Sequence, residues 1–171
     1  GSPNDMSLNK TQTDTDIVAH GLSVVEIELV DGVWHQRKNS AYTRRITPFT
    51  PMYISGPAAG SARLKTAISQ DGVHTLGTYG NCAGGVTPWG TVLTGEENVD
   101  MMFAGDFSKS PEAASLKRFG MSAKPSKSWA AHYPRWDLSK EPNESFHMGW
   151  IVEIDPYDPV SIPKKRTALG R

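Results

Sequence analysis

Cys82, Glu96 and Glu97 are the residues whose types and spacing suit metal or nucleophile chemistry. They lie in the run Asn81-Cys82-Ala83-Gly84-Gly85-Val86-Thr87-Pro88-Trp89-Gly90-Thr91, followed by Thr94-Gly95-Glu96-Glu97-Asn98. Cys82 is the single cysteine. A lone cysteine is commonly a small buried hydrophobe. Here its neighbours are small, which leaves the sulfur open and lets the backbone approach an ion or substrate closely. A reactive or metal-bound cysteine works as the thiolate. The stabilising positive charge can come from a metal or a basic side chain. No histidine lies near Cys82 in sequence, so a local cysteine–histidine pair has no direct support.

Adjacent carboxylates such as Glu96 and Glu97 are commonly solvated surface. These two follow a β-branched run and Gly95 directly. Neighbours on a regular strand point to opposite faces, so only one faces a site unless Gly95 breaks the regularity. Carboxylates are hard ligands for Ca²⁺, Mg²⁺ or ferric iron, and thiolate is soft. One site drawing on both fits a mixed metal cluster. Trp89, after Thr87-Pro88, can wall a pocket or pack in a core. Arg44-Arg45 can fork onto a phosphate or stand solvated on an edge strand. The five histidines show no H-x-x-x-H or H-E-x-x-H spacing. Neither a Walker loop nor a G-x-S-x-G elbow occurs.

The elements that must position these residues read as short strands and turns. Val24–Val30 and Val33–Gln36 form a hairpin around Asp31-Gly32. Tyr42–Ile54 is extended, with Pro48 and Pro51 as punctuation. Val73–Tyr79 follows a turn at Asp71-Gly72, and Gly90–Thr94 is a short buried strand. Trp150–Asp155 and Lys165–Leu169 pair across a turn. The glycine-rich stretch between Cys82 and Gly90 reads as a loop. Residues 1–16 read as a flexible polar segment, with a helical turn at Ile17–Ala19 that Gly21 stops. Residues 99–145 are an irregular insertion with one helix near 111–119, where Ser110 caps, Pro111 begins and Gly120 ends it. Val25-Glu26-Ile27 and Val152-Glu153-Ile154 each open a hairpin, at a spacing near three propeller-blade lengths of about 40–45 residues. V-x-I strands are also common enough to coincide.

The chain has 171 residues, 37% hydrophobic and 21% charged, which permits a packed core. Eighteen basic residues balance eighteen acidic ones, so no electrostatic feature favours nucleic acid or an anionic membrane as a partner. One cysteine excludes an internal disulfide framework. No apolar run reaches the roughly 20 residues of a membrane helix.

The run from Asn81 to Asn98 resembles the signature of the PhoX-type alkaline phosphatases. The likeness extends to His20–Glu26, Arg44–Thr47, Ser55–Gly60, Gly149–Pro156 and Lys165–Arg171, in collinear order. It implies an exported, periplasmic or secreted phosphomonoesterase. The implied fold is mainly β: a partial β-propeller, about two to four blades' worth of short antiparallel strands, over residues 17–171. It implies Fe³⁺ and Ca²⁺ as cofactors, with Cys82 as an iron ligand and Glu97, less directly Glu96, as metal ligands. Asn81, Thr87 and Trp89 become neighbours of the site. A phosphate monoester is the implied substrate, and the rest of the same propeller chain the implied partner. The family usually has cysteine at Gly95 and asparagine at Gly80. It also continues past the position of Arg171 into a His-Glu pair whose glutamate is a ligand. On this reading the chain is a fragment, inactive alone and unstable or oligomeric. The rival reading is a non-enzymatic propeller segment that has lost its metal, and a third is a cysteine-nucleophile hydrolase.

Overall fold

A computed structural model describes residues 8–123 and 129–169. The chain opens with helix α1 (Lys10–Ala19). A capping box starts it: Asn9 accepts from the Gln12 amide and Gln12 accepts from the Asn9 amide. Thr13 and Ile17 are its buried residues, one turn apart. Residues 10–16 are therefore helical where the sequence reads as a flexible polar segment. With so few buried positions, α1 carries almost no amphipathic signature. Contacts across the chain hold it instead. Trp129 Nε1 donates to Asp16 at 2.6 Å, and the Tyr133 hydroxyl donates to Asp14 at 2.5 Å.

Strands β1 (Leu22–Val24), β2 (Ile27–Val30), β3 (Val33–Gln36) and β4 (Arg44–Ile46) form two ribbons. β1 pairs antiparallel with β4, and β2 with β3. The apolar run from Leu22 to Val30 thus breaks at Val25-Glu26 and serves two partners. The β2–β3 ribbon turns at Asp31-Gly32, both at positive φ.

The remaining strands are β5 (Pro51–Ile54), β6 (His74–Leu76), β7 (Asn81–Val86), β8 (Val92–Glu96), β9 (Trp150–Ile154) and β10 (Lys164–Ala168). They build one six-stranded sheet in the order β6-β5-β10-β9-β8-β7. Only the β5–β10 pair is parallel. The glycine-rich stretch is therefore a strand through Val86, and the loop is confined to Thr87–Thr91. Pairing with β8 offsets the poor strand propensity of its glycines.

Between β8 and β9 the chain runs through short helices, among them α2 (Ala113–Arg118) and α3 (Trp129–His132). This region supplies most of the main apolar cluster: Val99, Met102, Phe103, Leu116, Trp129, Trp136 and Leu138 pack with Ile17 and Tyr79. Tyr79, Trp129 and Trp136 meet edge to face with centroids 4.9–5.6 Å apart. The protein is mainly β with few short helices. Among the described residues no sheet closes on itself.

Candidate metal centre

The hairpin of β7 and β8 carries the candidate site at its open end. Asn81 pairs with Glu96, Gly84 with Thr94 and Val86 with Val92. Two residues on β7 thus face one on β8, which places a bulge at Cys82-Ala83 opposite Gly95. A bulge re-aims the side chains that follow the regular pleat elsewhere. Cys82 is exposed and meets the Glu97 carboxylate, whose hydrogen bond and negative charge push the thiol pKa up. An adjacent cation would reverse that logic and favour the thiolate.

Gly80 fixes Glu97 against Cys82. Its carbonyl accepts from the Glu97 amide at 2.8 Å. Its φ is +65°, and a Cβ there would lie 2.1 Å from the Glu97 carbonyl oxygen. No side chain fits that approach without moving the backbone.

Glu96 and Glu97 part company. Glu96 is buried at 6% exposure and Glu97 is exposed. Glu96 Oε1 pairs with Lys165 Nζ at 2.5 Å, and Oε2 accepts from the Trp150 amide at 2.9 Å. Lys165 is itself fully buried; burial lowers its pKa, and the Glu96 charge opposes that fall. Both oxygens of Glu96 are engaged inside the protein, whereas Glu97 is exposed and lines the cavity beside Cys82.

Cys82, Glu97, Asn81, Asn98 and Met101 line a cavity of about 420 Å³ together with His20 from the end of α1. Asn81 Nδ2 donates to Thr78 Oγ1 at 2.8 Å, while its Oδ1 is buried with no hydrogen-bond partner. A thiol, an exposed carboxylate and a side-chain amide form a mixed soft and hard donor set, of the kind that suits iron beside calcium. The set is partial. Among the described residues no three His, Cys, Asp or Glu side chains come together around one ion.

Thr87 and Trp89 lie at the closed end of the hairpin, away from Cys82. Thr87 is five residue steps beyond Cys82, about 16 Å at the usual strand rise. Thr87 hydrogen-bonds Thr91 across the turn at 2.8 Å. Trp89 Nε1 donates to Glu153 at 2.9 Å, and its ring is exposed. The structure brings Asn81, Cys82 and Glu97 together and leaves Glu96, Thr87 and Trp89 outside. The two arginines are structural. Arg44 donates to the carbonyls of Tyr42, Asp155 and Asp158. Arg45 donates to those of Val18, Ala19 and His20. Sequence reasoning missed His20, Asn98 and Met101 as wall residues. His20 precedes a glycine that stops a helix, which was the one local signal of a fixed position.

Residues 2–171 match the family described as alkaline phosphatase PhoX. A similar solved structure is PhoX of Pseudomonas fluorescens in complex with vanadate, a transition state analogue. It is 40% identical, with a TM-score of 0.85. The match covers 96% of this chain and 28% of that one. No curated protein matches.

Proposed function

This chain belongs to the alkaline phosphatase PhoX family, and we propose that it supplies one wall of the metal site of a phosphomonoesterase. The observation that carries the reading is the contact of Cys82 with Glu97 in a cavity that Asn81 also lines. Cys82 would hold iron and Glu97 iron or calcium. Asn81 Oδ1 suits the harder ion. Bound there, the metals would neutralise the phosphate and polarise its oxygens. The chain's own residues do the rest. Gly80 holds Glu97 in register with the bulge, and the bulge turns Cys82 outward. The Glu96–Lys165 pair anchors the strand from which Glu97 projects.

The vanadate complex of the related PhoX supports a phosphate monoester as substrate. The chain spans 28% of that protein. In this reading the missing ligands come from further polypeptide, which completes a β-propeller, and the 171 residues alone are inactive. A periplasmic or secreted location accompanies the family resemblance.

The test uses the full-length polypeptide with iron and calcium supplied. It should hydrolyse p-nitrophenyl phosphate. Cys82→Ser and Glu97→Gln should lose bound metal and activity together, while Glu96→Gln keeps the metal in whatever fraction stays folded. A metal-free wild type, or activity that survives chelation, would overturn the reading.

A further inference from the structure

We propose that the β2–β3 ribbon is the docking surface for an apolar segment of the same polypeptide, from outside these 171 residues. The inference rests on the reading above that further polypeptide completes the protein. Its own support is the ribbon's surface. Ile27 stands opposite Gln36, and Leu29 opposite Trp34. Directly opposed residues share a face, so Ile27, Leu29 and Trp34 lie together on one side of the ribbon. Val30 and Val33 oppose each other on the other side. All five are exposed, between 46% and 63%. An antiparallel ribbon ordinarily packs its apolar face on a core. Among the described residues both faces of this one stand open, and neither outer edge pairs with a further strand. A two-stranded ribbon left so is marginally stable in water.

The ribbon borders a groove of about 550 Å³ whose lining includes Val25, Ile27, Trp34, Tyr42, Pro156 and Tyr157. Tyr157 is 77% exposed. The walls are fixed without an occupant. Arg44 donates to the carbonyls of Asp155 and Asp158, which ties the turn that carries Tyr157 to β4. At the foot of the ribbon the Glu26 carboxylate accepts from Arg37 and Ser40, and its amide donates to Thr43. A preformed apolar groove rimmed by exposed aromatics marks an interaction surface. More of the same chain, a second copy and a bilayer are the occupants to weigh. Residues 24–36 hold three carboxylates and no lysine or arginine, which disfavours an anionic bilayer. The match to the related PhoX takes in 28% of that chain. In a protein of that length most of the polypeptide lies outside the residues described here. A tethered segment reaches the groove at an effective concentration that a separate copy does not match.

The experiment follows amide hydrogen exchange by mass spectrometry in the full-length protein. Amides across residues 27–36 should exchange at least about 100-fold more slowly than the unfolded-chain rate, at every protein concentration. Trp34→Lys should lower the urea midpoint or abolish folding, whereas on an open surface it would change little. Faster exchange, or a lysine variant as stable as the wild type, would overturn the proposal. Protection that appears only as protein concentration rises would assign the surface to a second copy. Protection that appears only with phosphatidylcholine vesicles would assign it to a bilayer. Either result overturns the proposal too. An active, metal-loaded protein with an open ribbon sinks this inference alone. A protected ribbon in a protein with neither metal nor turnover sinks the phosphatase reading alone.

Discussion

Replacing Glu96 by glutamine should destabilise the protein severely, and replacing Lys165 as well should restore much of the loss. Lys165 is fully buried, and its Nζ has two partners: Glu96 at 2.5 Å and the Met148 sulfur at 3.6 Å. Glutamine at 96 can still accept from the Trp150 amide but brings no charge. The ammonium is then left in the interior with a thioether for company. Breaking one side of such a pair costs about 3–5 kcal/mol. Lys165→Met should cost a similar amount, because the Glu96 carboxylate keeps the Trp150 amide and nothing else. The double variant Glu96→Gln/Lys165→Met removes both charges at nearly the same side-chain volume. It should lie within about 2 kcal/mol of wild type, so the coupling between the sites exceeds about 3 kcal/mol. Urea unfolding of all four proteins reads this out as midpoint shifts. Independent, additive losses would refute the reasoning. So would a Glu96→Gln protein of full stability that no longer binds metal, because Glu96 would then be a ligand rather than half of an ion pair.

Gly80→Ala should cost about 1–3 kcal/mol from its positive φ alone, and its Cβ contact with Glu97 should also displace the carboxylate, seen as weaker metal retention. Gly95→Cys should be tolerated within about 1 kcal/mol, because a Cβ there meets only Ile151 Cδ1, at 3.7 Å; the midpoint of urea unfolding checks it. Stability should also fall in acid through Glu144. Burial raises its pKa, but the Arg135 charge and His147 outweigh that and bring it from 4.5 to about 2. A carboxylate with a lowered folded pKa contributes stability that is complete above about pH 4.5 and is lost as pH falls through about 2, roughly 3 kcal/mol in all. Denaturant titrations across that range should slope steeply for wild type and flatten for Glu144→Gln.

The parts of this structure that were legible in sequence are those that local chemistry dictates. Asp31-Gly32 announces its turn, and Trp150–Ile154 announces its strand by β-branched content. The proximity of Cys82 to a carboxylate was readable because both flank one hairpin. Which carboxylate was not readable, because the choice depends on Lys165, a residue 69 positions away. The strand at Asn81–Val86 was hidden by glycines whose poor propensity is overridden by pairing with β8. Helix α1 was hidden because three of its contacts run to residues more than 100 positions away. Its capping box at Asn9 and Gln12 was the one local sign. Trp89 and Thr87 follow Cys82 closely in sequence, yet the rise of a strand carries them out of the site.

The most direct test of the central claim is X-ray absorption at the iron edge on the full-length protein, wild type beside Cys82→Ser. The account requires an iron–sulfur scattering path in the wild type that disappears in the serine variant. An iron shell of oxygen and nitrogen alone in the wild type, or no iron at all, would contradict it.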